Sequence, residues 1–117
     1  MTSRMTKKII NLTPHDITIV RDDGNITIPK SGMVARVAEI VTAAPDINGI
    51  PCVATRMGEI QNLPAPEAGT VYIVSPLVAG ATDRTDVVCP DTGSDSVVRD
   101  GNGNIRGVKR LRKILVK

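Results

Sequence analysis

Apolar and polar positions alternate with period two along much of the chain. Asp16-Ile17-Thr18-Ile19-Val20-Arg21 sets Ile17 and Ile19 on one face, and Ile26-Thr27-Ile28 repeats the pattern after Asp22-Asp23-Gly24-Asn25. Alternation on both sides of an Asp-Gly turn predicts a β-hairpin. Ile9-Ile10-Asn11-Leu12 reads as a short strand stopped at Thr13-Pro14. Met33 to Val41 reads as a strand, with helical spacing at Val34, Val37, Ala38 and Val41 as the alternative. Pro45 to Pro51 reads as a loop with an Asn48-Gly49 turn, followed by short strands over Ile50 to Met57 and Ile60 to Leu63. Thr70-Val71-Tyr72-Ile73-Val74 has no polar side after Thr70, the mark of a central strand covered on both faces. Ser75-Pro76 predicts the start of one helical turn closed by Gly80, because Ser caps a helix and Pro suits its first position. Val87-Val88-Cys89 and Val97-Val98-Arg99 are further strands. From Val108 the spacing of Val108, Leu111 and Leu115 fits a helix slightly better than a strand.

Composition supports the β reading. Valine and isoleucine number 14 and 13 against five leucines, and β-branched side chains suit a pleated surface. The expected fold is mostly β: a single small antiparallel sandwich or partly open barrel with one or two short helical turns. The 117 residues fit one domain. It divides into a flexible leader over 1–8, a β domain over 9–107 and a basic segment over 108–117. No apolar run reaches the roughly 18 residues a membrane helix needs, and the basic start lacks the apolar stretch of a secretory signal. A cytoplasmic setting is expected.

The charge of +3 is unevenly placed. Residues 106–117 carry six bases and no acid, whereas 9–105 carry six bases and all 12 acids. Such a tail either meets a polyanion or folds back on the acidic body. Nucleic acid is the poorer expectation, because Tyr72 is the only aromatic residue and single-strand readers stack bases on several rings. One histidine and two cysteines fall short of a structural zinc site. No cofactor or metal is expected, and Cys52 and Cys89 read as small buried hydrophobes.

Asp91-Thr92-Gly93-Ser94 spells the D-T-G-S of aspartic proteases. Pro90 stands where those enzymes run a hydrophobic strand, and an Asp-Thr-Gly turn is ordinary turn chemistry. No nucleophile elbow or phosphate-binding glycine loop is present, so the expectation is a protein that is not an enzyme. The segment from Val74 to Arg84 carries the strongest binding signal. A helix start after a buried strand presents free N–H groups to an anion, Arg84 adds a fork for phosphate, and Tyr72 adds a ring. The alternative is a solvated turn with Arg84 paired to Asp83 or Asp86.

Asn11-Leu12-Thr13-Pro14-His15-Asp16-Ile17 resembles the opening of a family of small, mostly uncharacterised phage and bacterial proteins that begin "NLTPH". The likeness continues through Gly32 to Val37, Leu63 to Pro66, Gly69 to Ser75, Arg84 to Pro90, and Val98 to Asp100 with Gly103 to Gly107. The resemblance implies a phage association. By analogy with small phage β proteins that evade immunity, it implies a sponge: a homo-oligomer that sequesters a small phosphorylated ligand, such as a cyclic nucleotide or cyclic ADP-ribose signal. The shared residues suited to that ligand are His15, Arg36, Tyr72, Ser75, Arg84 and Arg99. Arg36, Arg84 and Arg99 would hold phosphate, Ser75 would donate, Tyr72 would stack and His15 would orient. A phage structural or protein-interaction module is the alternative.

Overall fold

Ten strands and one helical turn arise from this pattern in a computed structural model that describes residues 7–115. The fold is mostly β, with three sheets and no closed barrel. The first sheet runs in the order β1 (Lys8–Asn11), β6 (Thr70–Ile73), β7 (Val87–Pro90), β10 (Leu111–Arg112). The second runs β3 (Ile26–Ile28), β2 (Ile17–Ile19), β9 (Ile105–Val108), β8 (Val97–Arg99). The third is a two-stranded ribbon of β4 (Arg36–Ile47) and β5 (Ile50–Gln61).

Pairing is mixed, where the sequence predicts an antiparallel sandwich or partly open barrel. β6 is parallel to both β1 and β7, and β2 is parallel to β9. The parallel pair β6–β7 is joined through α1 (Pro76–Ala79), whose N-cap Ser75 accepts the Val78 N–H at 3.3 Å. β6 lies inside its sheet and carries the core: Tyr72, Ile73 and Val74 are at most 3% exposed. Leu12, Val78, Ala79, Val87 and Cys89 pack with it, and Ala35 brings the start of the ribbon against the same cluster.

The C-terminal segment is a strand region rather than a helix. The Lys109 N–H donates to the Ser96 carbonyl, and Leu111 and Arg112 pair with Pro90 and Cys89 of β7. An available sheet edge outweighs a helical spacing of three residues. The expected leader falls largely outside the described residues. Its last member, Lys8, opens β1 opposite Thr70.

The ribbon also departs from expectation. Residues read as a strand, a loop and two short strands form two continuous 12-residue strands. Asn48 and Gly49 turn the chain with φ of 51° and 81°, the geometry of a two-residue primed hairpin. This ribbon stretches the molecule to 63 × 40 × 28 Å. The radius of gyration is 17.5 Å, against about 13 Å for a compact chain of this length.

Candidate functional site

Asn11 fixes the loop that opens the domain. It is 1% exposed, and its amide meets four partners. Nδ2 donates to the carbonyls of His15 and Ile28 at 2.9 and 3.0 Å, and Oδ1 accepts from the N–H and hydroxyl of Thr13 at 2.9 and 2.7 Å. The Thr13 hydroxyl donates to the same Asn11 oxygen or to the His15 carbonyl, 2.9 Å away. The segment Asn11–His15 is thus a clamp that joins β1 to the β2–β3 hairpin. His15 takes part through its backbone, and the residue itself is exposed.

Arg84 is held from three sides. Nε and Nη2 donate to Oδ1 and Oδ2 of Asp86 at 3.0 and 2.7 Å, and Nη1 donates to the Pro64 carbonyl at 2.8 Å. Its guanidinium lies 5.8 Å from the centroid of the Tyr72 ring. The hydrogen bond to Asp86 raises the Arg84 pKa, and the same bond lowers that of Asp86. A cleft of about 460 Å³ borders Arg84, but Glu67, Asp83 and Asp86 line it too. Asp86 already neutralises the guanidinium, and Glu67 and Asp83 remain as acids on the cleft wall, so this lining does not favour a phosphate.

The six residues singled out by sequence are therefore dispersed. Tyr72, Ser75 and Arg84 share the first sheet and its crossover. The Tyr72 ring is 3% exposed beneath Arg84, so it offers no open face to a base. Ser75 spends its hydroxyl on capping a single turn. Arg36 is exposed at the base of the ribbon, between Ala35 and Val37, which turn to the core. Arg99 lies on β8 in the second sheet and donates to the Gly103 carbonyl at 2.8 Å. Arg36, Arg84 and Arg99, expected to hold phosphate together, stand on the ribbon, the crossover and the second sheet, and of the two outer arginines Arg36 is the one on a strand that meets α1.

The D-T-G segment is likewise occupied. Asp91 accepts the Gly93 N–H at 3.0 Å through Oδ1 and Arg110 Nε at 2.6 Å through Oδ2. The Gly93 amide and then Arg110 hold the Asp91 pKa down, and Arg110 does the same for Asp95. An aspartic protease needs a carboxyl that keeps a proton, and this setting favours the ionised form. A second cavity, of about 180 Å³, lies between β2, β9 and the end of β7. It falls below the usual 300 Å³ or more of a small-molecule site. Among the described residues no three metal-ligating side chains come together, and no helix is long and apolar enough to cross a membrane.

The feature that sequence reading missed is the ribbon. Val41, Ile47, Ile50 and Val53 are 55–66% exposed along its outer half. From Ile40 to Thr55 the only charged residue is Asp46. That run of 16 residues with one charge, in a chain that is 23% charged, was the available signal. Comparison with known families, curated proteins and solved structures finds no match.

Proposed function

We propose that this chain is a non-enzymatic interaction module that docks on protein through the β4–β5 ribbon. The observation that carries this reading is the run of exposed aliphatic side chains on an element that no third strand joins among the described residues. A lone two-stranded ribbon is marginal in water, and contiguous exposed apolar surface marks a contact. The near absence of charge supports a protein partner over a nucleic acid. The phage association implied by the resemblance at Asn11–Ile17, and the cytoplasmic setting expected from the lack of a secretory signal, fit a small module of this kind.

A photo-crosslinking residue at Val53, introduced into the protein in its source cells, tests the reading. A discrete protein adduct is expected there, with none from the same probe at Thr27 on the exposed face of β3. Absence of an adduct at Val53 rejects docking through the ribbon.

Sequestration of a small phosphorylated ligand is the second reading. It draws on Arg36 and Arg99, which are exposed and form no ion pair among the described residues. Such a site would have to be assembled between copies, since one copy keeps these residues on separate sheets. Incubation with a panel of cyclic nucleotides, followed by heating and detection of released intact ligand, decides it. Recovery of none removes this reading.

A further inference from the structure

We infer that the occupant of the ribbon is a second copy of this chain, held by reciprocal exchange of arms. The inference rests on the docking reading and names its partner. One face of the ribbon continues the core. Along β4 the alternate positions pass from Ala35, 4% exposed, through half-buried Val37 to Glu39, and then to Val41, 55% exposed, and Ala43. The register sets Met57, Thr55 and Val53 of β5 beside Glu39, Val41 and Ala43. The body covers this stripe at Val37 and Ile60, which pack on the central cluster. Farther out the same face runs on uncovered, with Val53 66% exposed, and on the opposite face the paired Ile47 and Ile50 are each 62% exposed, so the arm is apolar on both sides.

Area and charge together select the partner. Beyond the part that the body covers, about eight residues of each strand at about 3.3 Å each, two strands wide, leave roughly 250 Å² on each face of the ribbon. The two faces of one arm together give about 500 Å², short of the about 800 Å² per partner that a stable complex buries. In a two-fold exchange each copy gives one arm and receives another, so each buries about two such areas and reaches that value. The outer half also suits its own copy electrostatically. With Asp46 as its only charge, it meets an identical surface with little like-charge repulsion. A basic or acidic partner would find no charge to complement.

Sedimentation of the full chain over roughly 1–100 μM tests the inference, with Val53→Lys and Ile50→Lys alongside. The wild type is expected to sediment as a dimer or a multiple of one. Each variant should be monomeric, or dissociate at least roughly tenfold more readily, with unchanged circular dichroism and melting of the body. Both positions are more than 60% exposed, so a lysine there is compatible with the fold. A monomeric wild type, or variants that keep the wild-type mass, overturns the inference. A monomer that still gives an adduct with another protein from Val53 overturns the second copy alone. A monomer that gives no adduct overturns the docking reading as well.

Discussion

Arg84 and Asp86 meet through two parallel hydrogen bonds, of 3.0 and 2.7 Å, on the edge of the core beside Tyr72. The pair fixes how the crossover from α1 returns to β7, since Asp86 also gives its carbonyl to the Tyr72 N–H. The side chains are 23% and 17% exposed, so solvent screens them only partly. Asp86→Ala leaves a guanidinium without its counter-charge and is expected to cost about 2 kcal/mol. Arg84→Ala should cost a similar amount, and the double variant less than the sum. Thermal melts of the three proteins measure this. Additive losses would remove the coupling.

Stability should fall in acid. Folding lowers the pKa of Asp86, Asp91 and Asp95 from 3.8, the first through Arg84, the second through the Gly93 amide and Arg110, the third through Arg110. A lowered carboxyl binds its proton less readily folded than unfolded. Its contribution is complete above the unfolded value and is lost as pH falls through the folded one. The melting temperature should hold from about pH 7 to about pH 5 and decline below about pH 4. Asp91→Asn should flatten that decline, and a melting temperature constant down to pH 3 would contradict the assignment.

Gly107 is where β9 comes close against Thr18 of β2. A Cβ there would stand 2.6 Å from the Thr18 carbonyl oxygen, a backbone atom that cannot swing aside. Gly107→Ala should destabilise by about 2–4 kcal/mol by forcing β2 from β9. Gly101→Ala, with open space around it, should stay within about 0.5 kcal/mol. Urea titrations of both variants make the comparison.

The Asn11 clamp gives a fourth stability test. Asn11→Ala removes four hydrogen bonds and leaves the Thr13 hydroxyl with fewer partners, a loss of about 3 kcal/mol. His15→Ala should be nearly silent, because the backbone of His15 does the bonding. Equal effects would reverse the roles given to these residues.

Sequence showed the elements whose signal is local. The β2–β3 hairpin, the inner strand at Thr70–Ile73 and the Ser75-Pro76 helix start all lie where alternation, burial and capping predict them. The ribbon was hidden because Pro45 and Pro51 read as breakers. Each ribbon strand is an edge, where a missing N–H costs no sheet bond. Parallel pairing of β1 with β6 joins residues about 60 apart and leaves no periodic mark. The choice of Asp86 over Asp83 for Arg84, and the reach of Arg110 to Asp91 and Asp95, were equally illegible. Counting bases located the positive tail, while tertiary contacts decided where Arg110 spends its charge.

Amide hydrogen exchange of the ribbon at rising protein concentration tests the central claim most directly. If copies exchange arms, the solvent-facing amides of Ile40–Thr55 gain protection as concentration rises, while those of β6 stay protected throughout. Ribbon amides that exchange at one rate across the whole range, in a protein whose mass never exceeds a monomer, would contradict it.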